Sequence, residues 1–290
     1  MQYEIKPLTE EEAESIGGKL EAYVRSVAPP KPGAEEETVV RKIEDEDGRI
    51  IAGCILVFHE WGWDRMLLAN LWVDEDHRRQ GLGSMLIREA ERIAREKGCY
   101  ISCLGTMVFH ARPLYEKHGY QVFTTRNDYP RGRVGWSLAK RLDGDAPDYV
   151  PKHNDAASRY RILPGTEADA AVIHEGLGRY TDAFAPDLHD TIPICKKLVD
   201  EDGGFVAGLI GEIGGWDEFD VEVLWVEEPY RNRGLGSYLL REAVEKGAYK
   251  LFASAGDWNV GFFRKNGYAP TGELKDVPRG HSCYELEKPL

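Results

Sequence analysis

The chain is short of cysteine, of positive charge and of long apolar runs. Its five cysteines (Cys54, Cys99, Cys103, Cys195 and Cys283) form no CxxC pair and meet no histidine at metal-ligand spacing. That argues against a disulfide framework and against a structural zinc site. A reducing compartment is expected, with Cys99 and Cys103 serving as small buried hydrophobes. Lysine and arginine number 37 against 50 acidic residues, a net charge of −13. Such a field repels phosphate backbones and anionic membrane surfaces and favours cationic partners, so nucleic acid is not an expected partner. The longest apolar run, Ile50 to Phe58, falls well short of the roughly 18 residues that span a bilayer. Met1 to Glu10 lacks the charged and then apolar pattern of an export signal. The expectation is a soluble cytoplasmic protein with no membrane partner.

What is present is size and repetition. At 290 residues the chain is more naturally two domains than one. Tyr3-Glu-Ile-Lys-Pro-Leu-Thr9 returns as Tyr160-Arg-Ile-Leu-Pro-Gly-Thr166, and Leu71-Trp72-Val73 returns as Leu224-Trp225-Val226. Arg78-Arg79-Gln80-Gly81-Leu82-Gly83-Ser84 matches Arg231-Asn232-Arg233-Gly234-Leu235-Gly236-Ser237, and Asp128-Tyr-Pro-Arg-Gly132 matches Asp276-Val-Pro-Arg-Gly280. An internal repeat of this length means two copies of one domain joined head to tail. The segment around 144–158 is poor in apolar residues and rich in Asp, Pro and Ala, as expected of an exposed connector. The expected domains are therefore 1–143 and 159–290.

Periodicity predicts helices over Glu10 to Ser26 and Thr166 to Tyr180, with Thr9 and Thr166 as N-caps. It predicts strands over Arg49 to Phe58, Met66 to Val73, Gly204 to Ile213 and Phe219 to Val226. After each Leu-Trp-Val strand comes a Gly-rich turn and then a strongly helical segment, Ser84 to Lys97 or Ser237 to Lys246. Such a turn is a phosphate cradle in physical terms. Glycines allow close backbone approach, and the first-turn N–H groups with the positive helix end face an anion. Neither turn has the GxGxxG spacing of a dinucleotide fold or the Lys-Ser/Thr of a P-loop.

At Arg78-Arg-Gln-Gly-Leu-Gly83 and Arg231-Asn-Arg-Gly-Leu-Gly236 the chain resembles the GNAT N-acetyltransferase superfamily, and the resemblance covers nearly all of both halves. It implies an α/β (α+β) fold: two tandem domains, each with a mixed, largely antiparallel central sheet flanked by helices. It implies that each turn, including Arg78 to Ser84 and Arg231 to Ser237, binds the pyrophosphate of acetyl-CoA. It also implies that the strand ends Leu71, Trp72, Val73 and Leu224, Trp225, Val226 pair with the pantetheine arm. Asn259 is a further candidate for pantetheine or substrate, with helix capping as the alternative.

The implied reaction is acetyl transfer to an amine by direct attack on the thioester. It needs a base, oxyanion stabilisers and an acid for the departing thiolate. The family often uses a Tyr before a Gly-aromatic pair as the acid. Tyr115-Glu-Lys-His-Gly-Tyr120 fits that pattern, whereas Phe263 holds the equivalent place in the second copy and has no proton to give. Carboxylates divide the other way. Asp220 and Glu222 alternate along a strand of the second copy, where the first has Leu67 and Ala69. For the first copy Glu60, a water chain or His110 could act as base. The expected acceptor is a small, cationic amine, with the first copy as the active one and the protein a monomer or homodimer. Alternatives are a non-catalytic acyl-CoA sensor and an acetyltransferase of protein lysines or N-termini.

Overall fold

A computed structural model describes residues 3–144, 149, 159–243 and 247–290. Most of the expected connector, 144–158, lies outside the described residues. The first repeat begins with strand β1 (Glu4–Pro7) and helix α1 (Glu10–Val27), then β2 (Glu37–Glu44), β3 (Ile50–Phe58) and β4 (Arg65–Val73). Helix α2 (Leu82–Glu96) leads to β5 (Ile101–Met107), α3 (Arg112–Lys117), β6 (Gln121–Asn127) and β7 (Val134–Arg141). The second repeat supplies β8 (Leu163–Pro164), α4 (Glu167–Asp182), β9 (Ile192–Val199), β10 (Phe205–Ile213) and β11 (Glu218–Val226). It closes with α5 (Leu235–Ala243), β12 (Lys250–Gly256), α6 (Val260–Lys265), β13 (Ala269–Lys275) and β14 (Ser282–Pro289).

The compact units are not the two repeats. One unit is Pro30–Pro186, and the other joins Met1–Pro29 to Asp187–Leu290. Each unit has thus taken the first strand and helix of the opposite repeat, which departs from the domains 1–143 and 159–290 expected above. The two leading helices are interchangeable in local terms. Both start with a full capping box, Thr9 with Glu12 and Thr166 with Asp169, which satisfies N–H groups at the helix start. Both then offer an isoleucine to a glycine in the third strand of a sheet. A Cβ on Gly53 would stand 2.3 Å from Ile173 Cδ1, and one on Gly208 would stand 2.8 Å from Ile16 Cδ1.

In the Pro30–Pro186 unit the strand order is β6-β7-β5-β4-β3-β2-β8. Among the described pairings β4 and β5 run parallel and the others antiparallel. A parallel pair needs a crossover, and α2 provides it. Leu82, Leu86, Ile87, Ala90, Ile93 and Ala94 of α2 are buried against Ile51, Leu56, Met66 and Leu104 in one core cluster. Across the sheet, α4 covers β2, β3 and β4 through Ile173, packed with Val40 and Trp72.

The β4–β5 ladder is short. It joins Arg65, Met66 and Leu67 to Ile101, Ser102 and Cys103 and then ends. On its other side β4 carries a bulge: Ile55 pairs with Asn70 and Leu56 with Leu68, leaving Ala69 unmatched. Bulges bend a strand and end its pairing, so β4 and β5 part beyond Leu67.

The split unit repeats this design with the order β1-β9-β10-β11-β12-β14-β13. Parallel β11 and β12 pair over Glu218–Val221 and Lys250–Ala253. Opposite them Ile210 meets Val223 and Gly211 meets Val221, so Glu222 is the bulged residue. Among the described residues no helix is long and apolar enough to cross a membrane. All five cysteines are free thiols, and burial pushes the Cys54 and Cys99 thiols up to about 12.

Candidate active site

Where β4 and β5 separate, the Pro30–Pro186 unit opens a cavity of about 690 Å³. One wall is β4 from Leu68 to Val73, with Leu71, Trp72 and Val73 among its residues. The next is the turn into α2, through Arg78, Arg79, Gly81, Leu82, Gly83 and Ser84. The β5 side contributes Gly105, Thr106 and Met107, with Arg126, Tyr129, Gly135, Trp136 and Ser137 beyond it. Tyr115 of α3 and Leu177 and Tyr180 of α4 also line it.

The turn differs from the two threonine-capped helix starts. Helices α1 and α4 have side-chain caps, whereas α2 begins at Gly81 with φ 87° and no side-chain cap. Its first N–H groups are left for an external acceptor. Arg79 also has positive φ, 60°, so the chain twists twice to present that backbone. Gly83 packs against α3, where a Cβ would lie 3.1 Å from Leu114 Cδ2. An uncapped, positively polarised helix end beside a splayed strand could hold a diphosphate on an extended arm.

Other turn residues are already engaged. Arg78 Nε donates to Val73 O at 3.1 Å, and its guanidinium lies 4.3 Å from the centre of the Tyr180 ring. Ser84 Oγ is 3.0 Å from His118 Nε2. Gln80 is not among the lining residues: its Nε2 donates to Asp76 O, and its Oε1 accepts from Arg159. The Trp72 indole packs against α4, where a Cβ on Gly176 would sit 2.5 Å from Trp72 Cε2.

Of the expected catalytic groups, Tyr115 lines the cavity, is buried, and has its hydroxyl pushed above the usual range by desolvation and then by Cys54. Its proton is therefore retained at neutral pH. Glu60 is not among the lining residues. It sits in a tight turn after β3, ion-paired with Arg65. His110 does line the cavity, and burial lowers it to about 4. Its Nδ1 accepts from Met107 N at 3.3 Å, which leaves the proton on Nε2, 3.2 Å from Thr181 Oγ1. With both nitrogens committed, it is a poor base and a good brace for α4.

Asp220 and Glu222 belong to the split unit. The bulge at Glu222 breaks the strict alternation that would align them on one face. Glu222 is exposed, and its carboxyl is raised by partial desolvation and then by Glu212 and Asp220. Phe263 is buried there and pairs edge-to-face with Tyr268 at 5.4 Å. The second turn keeps the same shape, with Asn232 at φ 61° and Gly234 at φ 78°. Arg231 Nε donates to Val226 O at 3.0 Å, and its guanidinium lies 4.9 Å from the Trp225 ring centre. Asn259 holds the N-cap position of α6, but its side chain makes no capping bond, and its Oδ1 is buried without a hydrogen-bond partner.

Local sequence pattern gives no sign of the lining residues from α4 and the β5 side, including Leu177, Tyr180, Arg126, Tyr129 and Trp136. Among the described lining residues there is no aspartate or glutamate.

A model of the GNAT acetyltransferase domain matches residues 36–122 and 198–270, together more than half of the chain. The chain belongs to the GNAT acetyltransferase family, with one match inside each compact unit. Over 93 residues it is 40% identical to the blasticidin-S acetyltransferase of Streptomyces morookaense, covering 32% of this chain and 67% of that protein. It is 31% identical over 151 residues to the tRNA(Met) cytidine acetyltransferase of Aeropyrum pernix, covering 49% of this chain and only 20% of that relative. Among solved structures, an acetyltransferase from Bacillus cereus is 33% identical with a TM-score of 0.44, over 48% of this chain and 96% of its own.

Proposed function

We propose that the chain transfers an acetyl group from acetyl-CoA to the amine of a small molecule, with the cavity of the Pro30–Pro186 unit as the reaction site. The observation that carries this reading is the uncapped start of α2 opening into a cavity that also holds Tyr115. When bound, acetyl-CoA supplies a thioester whose acetyl group an amine nitrogen takes, releasing a thiol. The first-turn N–H groups after Gly81 and the positive helix end hold its diphosphate. Leu71 to Val73, past the bulge at Ala69, offer a strand edge for its arm. Tyr115 keeps its proton through burial and serves as the acid. The acceptor amine gives up its own proton to water, because the described wall carries no carboxylate.

The split unit keeps a turn of the same shape but has Phe263 where the acid would stand, so its proposed part is to bind the donor without turning it over. Calorimetric titration of acetyl-CoA tests both statements, using the intact chain beside Gly81→Trp and Gly234→Trp variants whose folding is checked by melting. Two sites, each lost in one variant, support the reading, with catalysis abolished only by Gly81→Trp. No binding by the intact chain refutes it.

A further inference from the structure

Tyr180 joins two parts of the cavity wall that the splay of β4 and β5 separates. It lies in the last turn of α4 and lines the cavity, as do Arg78 on the turn side and His110 on the loop after β5. Its ring carries the Arg78 guanidinium, 4.3 Å from the ring centre. Its hydroxyl donates to Phe109 O at 2.9 Å. One side chain thus links the turn into α2 with the segment that runs from the end of β5 into α3 and Tyr115. The β4–β5 ladder ends at Leu67 and Cys103, so beyond that point the width of the opening depends on such a cross-link.

Both ends of the link are anchored. Arg78 Nε donates to Val73 O at 3.1 Å, and Glu75 pairs with the same guanidinium at 3.4 Å. With those partners the arginine fastens the turn to the end of β4 and, through the ring, to α4. On the loop side Phe109 stacks on Phe184 at 5.3 Å, and His110 Nε2 lies 3.2 Å from Thr181 Oγ1, one residue beyond Tyr180.

The split unit lacks the components of this link. Tyr23 holds the place of Tyr180, at the same spacing from its capping threonine. There Arg231 lies over Trp225 at 4.9 Å, and Tyr23 meets that indole edge-on at 6.5 Å. The reason lies one turn earlier in the helix. Trp72 is buried against Gly176 of α4, where a Cβ would stand 2.5 Å from Trp72 Cε2, whereas α1 has Lys19 at that place. Trp225 is only partly buried and takes the arginine itself. On the loop side Val24 stands where Thr181 does, and Trp258 stands where His110 does when counted from Phe263 and Tyr115. Valine offers no oxygen for such a bond. The tyrosine link therefore accompanies Tyr115, and its components are replaced in the unit that has Phe263.

We infer that Tyr180 is a positioning residue, supplied by the second repeat, that sets the separation between the donor turn and the helix carrying Tyr115. This rests on the acetyl-transfer reading above, which gives the turn its donor. Its value is geometric: a misplacement of about 1 Å between reacting groups can cost about 100-fold in rate.

Amide hydrogen exchange and calorimetry on the full chain test the inference. The Val108 and His110 amides bond Val134 O and Met107 O on the loop side, and the Arg78 amide bonds Glu75 O in the turn. Tyr180→Phe keeps the ring and loses the hydroxyl. Exchange at Val108 and His110 should quicken about 2- to 10-fold, with Arg78 exchange and acetyl-CoA affinity unchanged. Tyr180→Leu loses both contacts, so exchange should quicken at all three amides and acetyl-CoA affinity should fall about 2- to 10-fold. Retention of donor affinity by phenylalanine separates positioning from a general packing defect. In an Arg78→Gln background Tyr180→Leu should cost no further affinity, because the ring acts through that guanidinium. The inference is overturned if Tyr180→Leu leaves the three amides as protected as in the unmodified chain, if Tyr180→Phe loses as much donor affinity as Tyr180→Leu, or if the losses at 78 and 180 add. An unmodified chain that binds no acetyl-CoA marks failure of the acetyl-transfer reading instead, and the exchange comparison made without donor still decides whether Tyr180 links the two walls.

Discussion

Ile173 occupies the space that a side chain on Gly53 would need: a Cβ there would stand 2.3 Å from Ile173 Cδ1, and 2.9 Å from the carbonyl oxygen of Arg41. The isoleucine comes from the second repeat and the glycine from the first. Fully buried, Ile173 locks α4 onto β3. Gly53→Ala is expected to cost about 1–3 kcal/mol through overpacking, because the neighbouring strand's backbone cannot retreat. Pairing it with Ile173→Ala should recover part of that loss in a double-mutant cycle. Thermal melting that shows no loss in the single variant would remove this contact from the account.

The unit boundaries give a second expectation. A fragment of residues 30–186 carries its sheet, its crossover helix and α4, and should unfold cooperatively. A fragment of residues 1–143 has α1 without the sheet that α1 covers and lacks α4 over Trp72 and Gly53. It should show weak amide protection in β2 to β4 and no sharp melting transition.

Tyr115→Phe keeps the buried ring and its edge-to-face contact with Tyr120 while removing the hydroxyl. Turnover should fall about 100-fold or more, with acetyl-CoA binding and melting temperature little changed. An unaltered kcat would exclude the hydroxyl as the acid.

His110 should remain neutral far into acid. Burial holds its pKa at about 4 against an ordinary 6.5, so between those values the unfolded chain binds a proton that the fold refuses. Stability from this residue is therefore complete above pH 6.5 and declines as pH falls towards 4. An imidazole titration by NMR should show the depressed midpoint, and His110→Gln should flatten the stability profile across that window. A midpoint near 6.5 would contradict the buried, braced ring.

Much of this is legible in the residues alone. The Leu-Trp-Val strands and the Gly turns are marked by local pattern, Tyr115 by the family resemblance, and in the first repeat all but Gln80 of the turn-and-strand residues named from sequence line the cavity. The exchange of leading elements is not legible. Thr9 and Thr166 cap alike, and Ile16 and Ile173 fit alike onto Gly208 and Gly53, so nothing local says which sheet a helix will cover. Glu60 reads as available because its partner Arg65 lies across a turn whose positive φ at His59 and Trp61 breaks any regular pattern. The contact of Arg78 with the Tyr180 ring is hidden for a similar reason. Arg78 and Tyr180 belong to different repeats, and only the fold makes them neighbours.

The split unit imposes an order on synthesis. Residues 30–186 can close as soon as α4 has left the ribosome, since every strand and helix of that unit is then available. Residues 1–29 emerge first and yet have no sheet to join until β9 to β14 follow. At roughly 5–20 residues per second, α1 must wait on the order of ten seconds or longer for its partner. Its capping box and its cluster of Glu10, Glu11 and Glu12 in the first turn favour the helical start locally, but an isolated helix of this length is marginal in water, so docking on the late strands completes it.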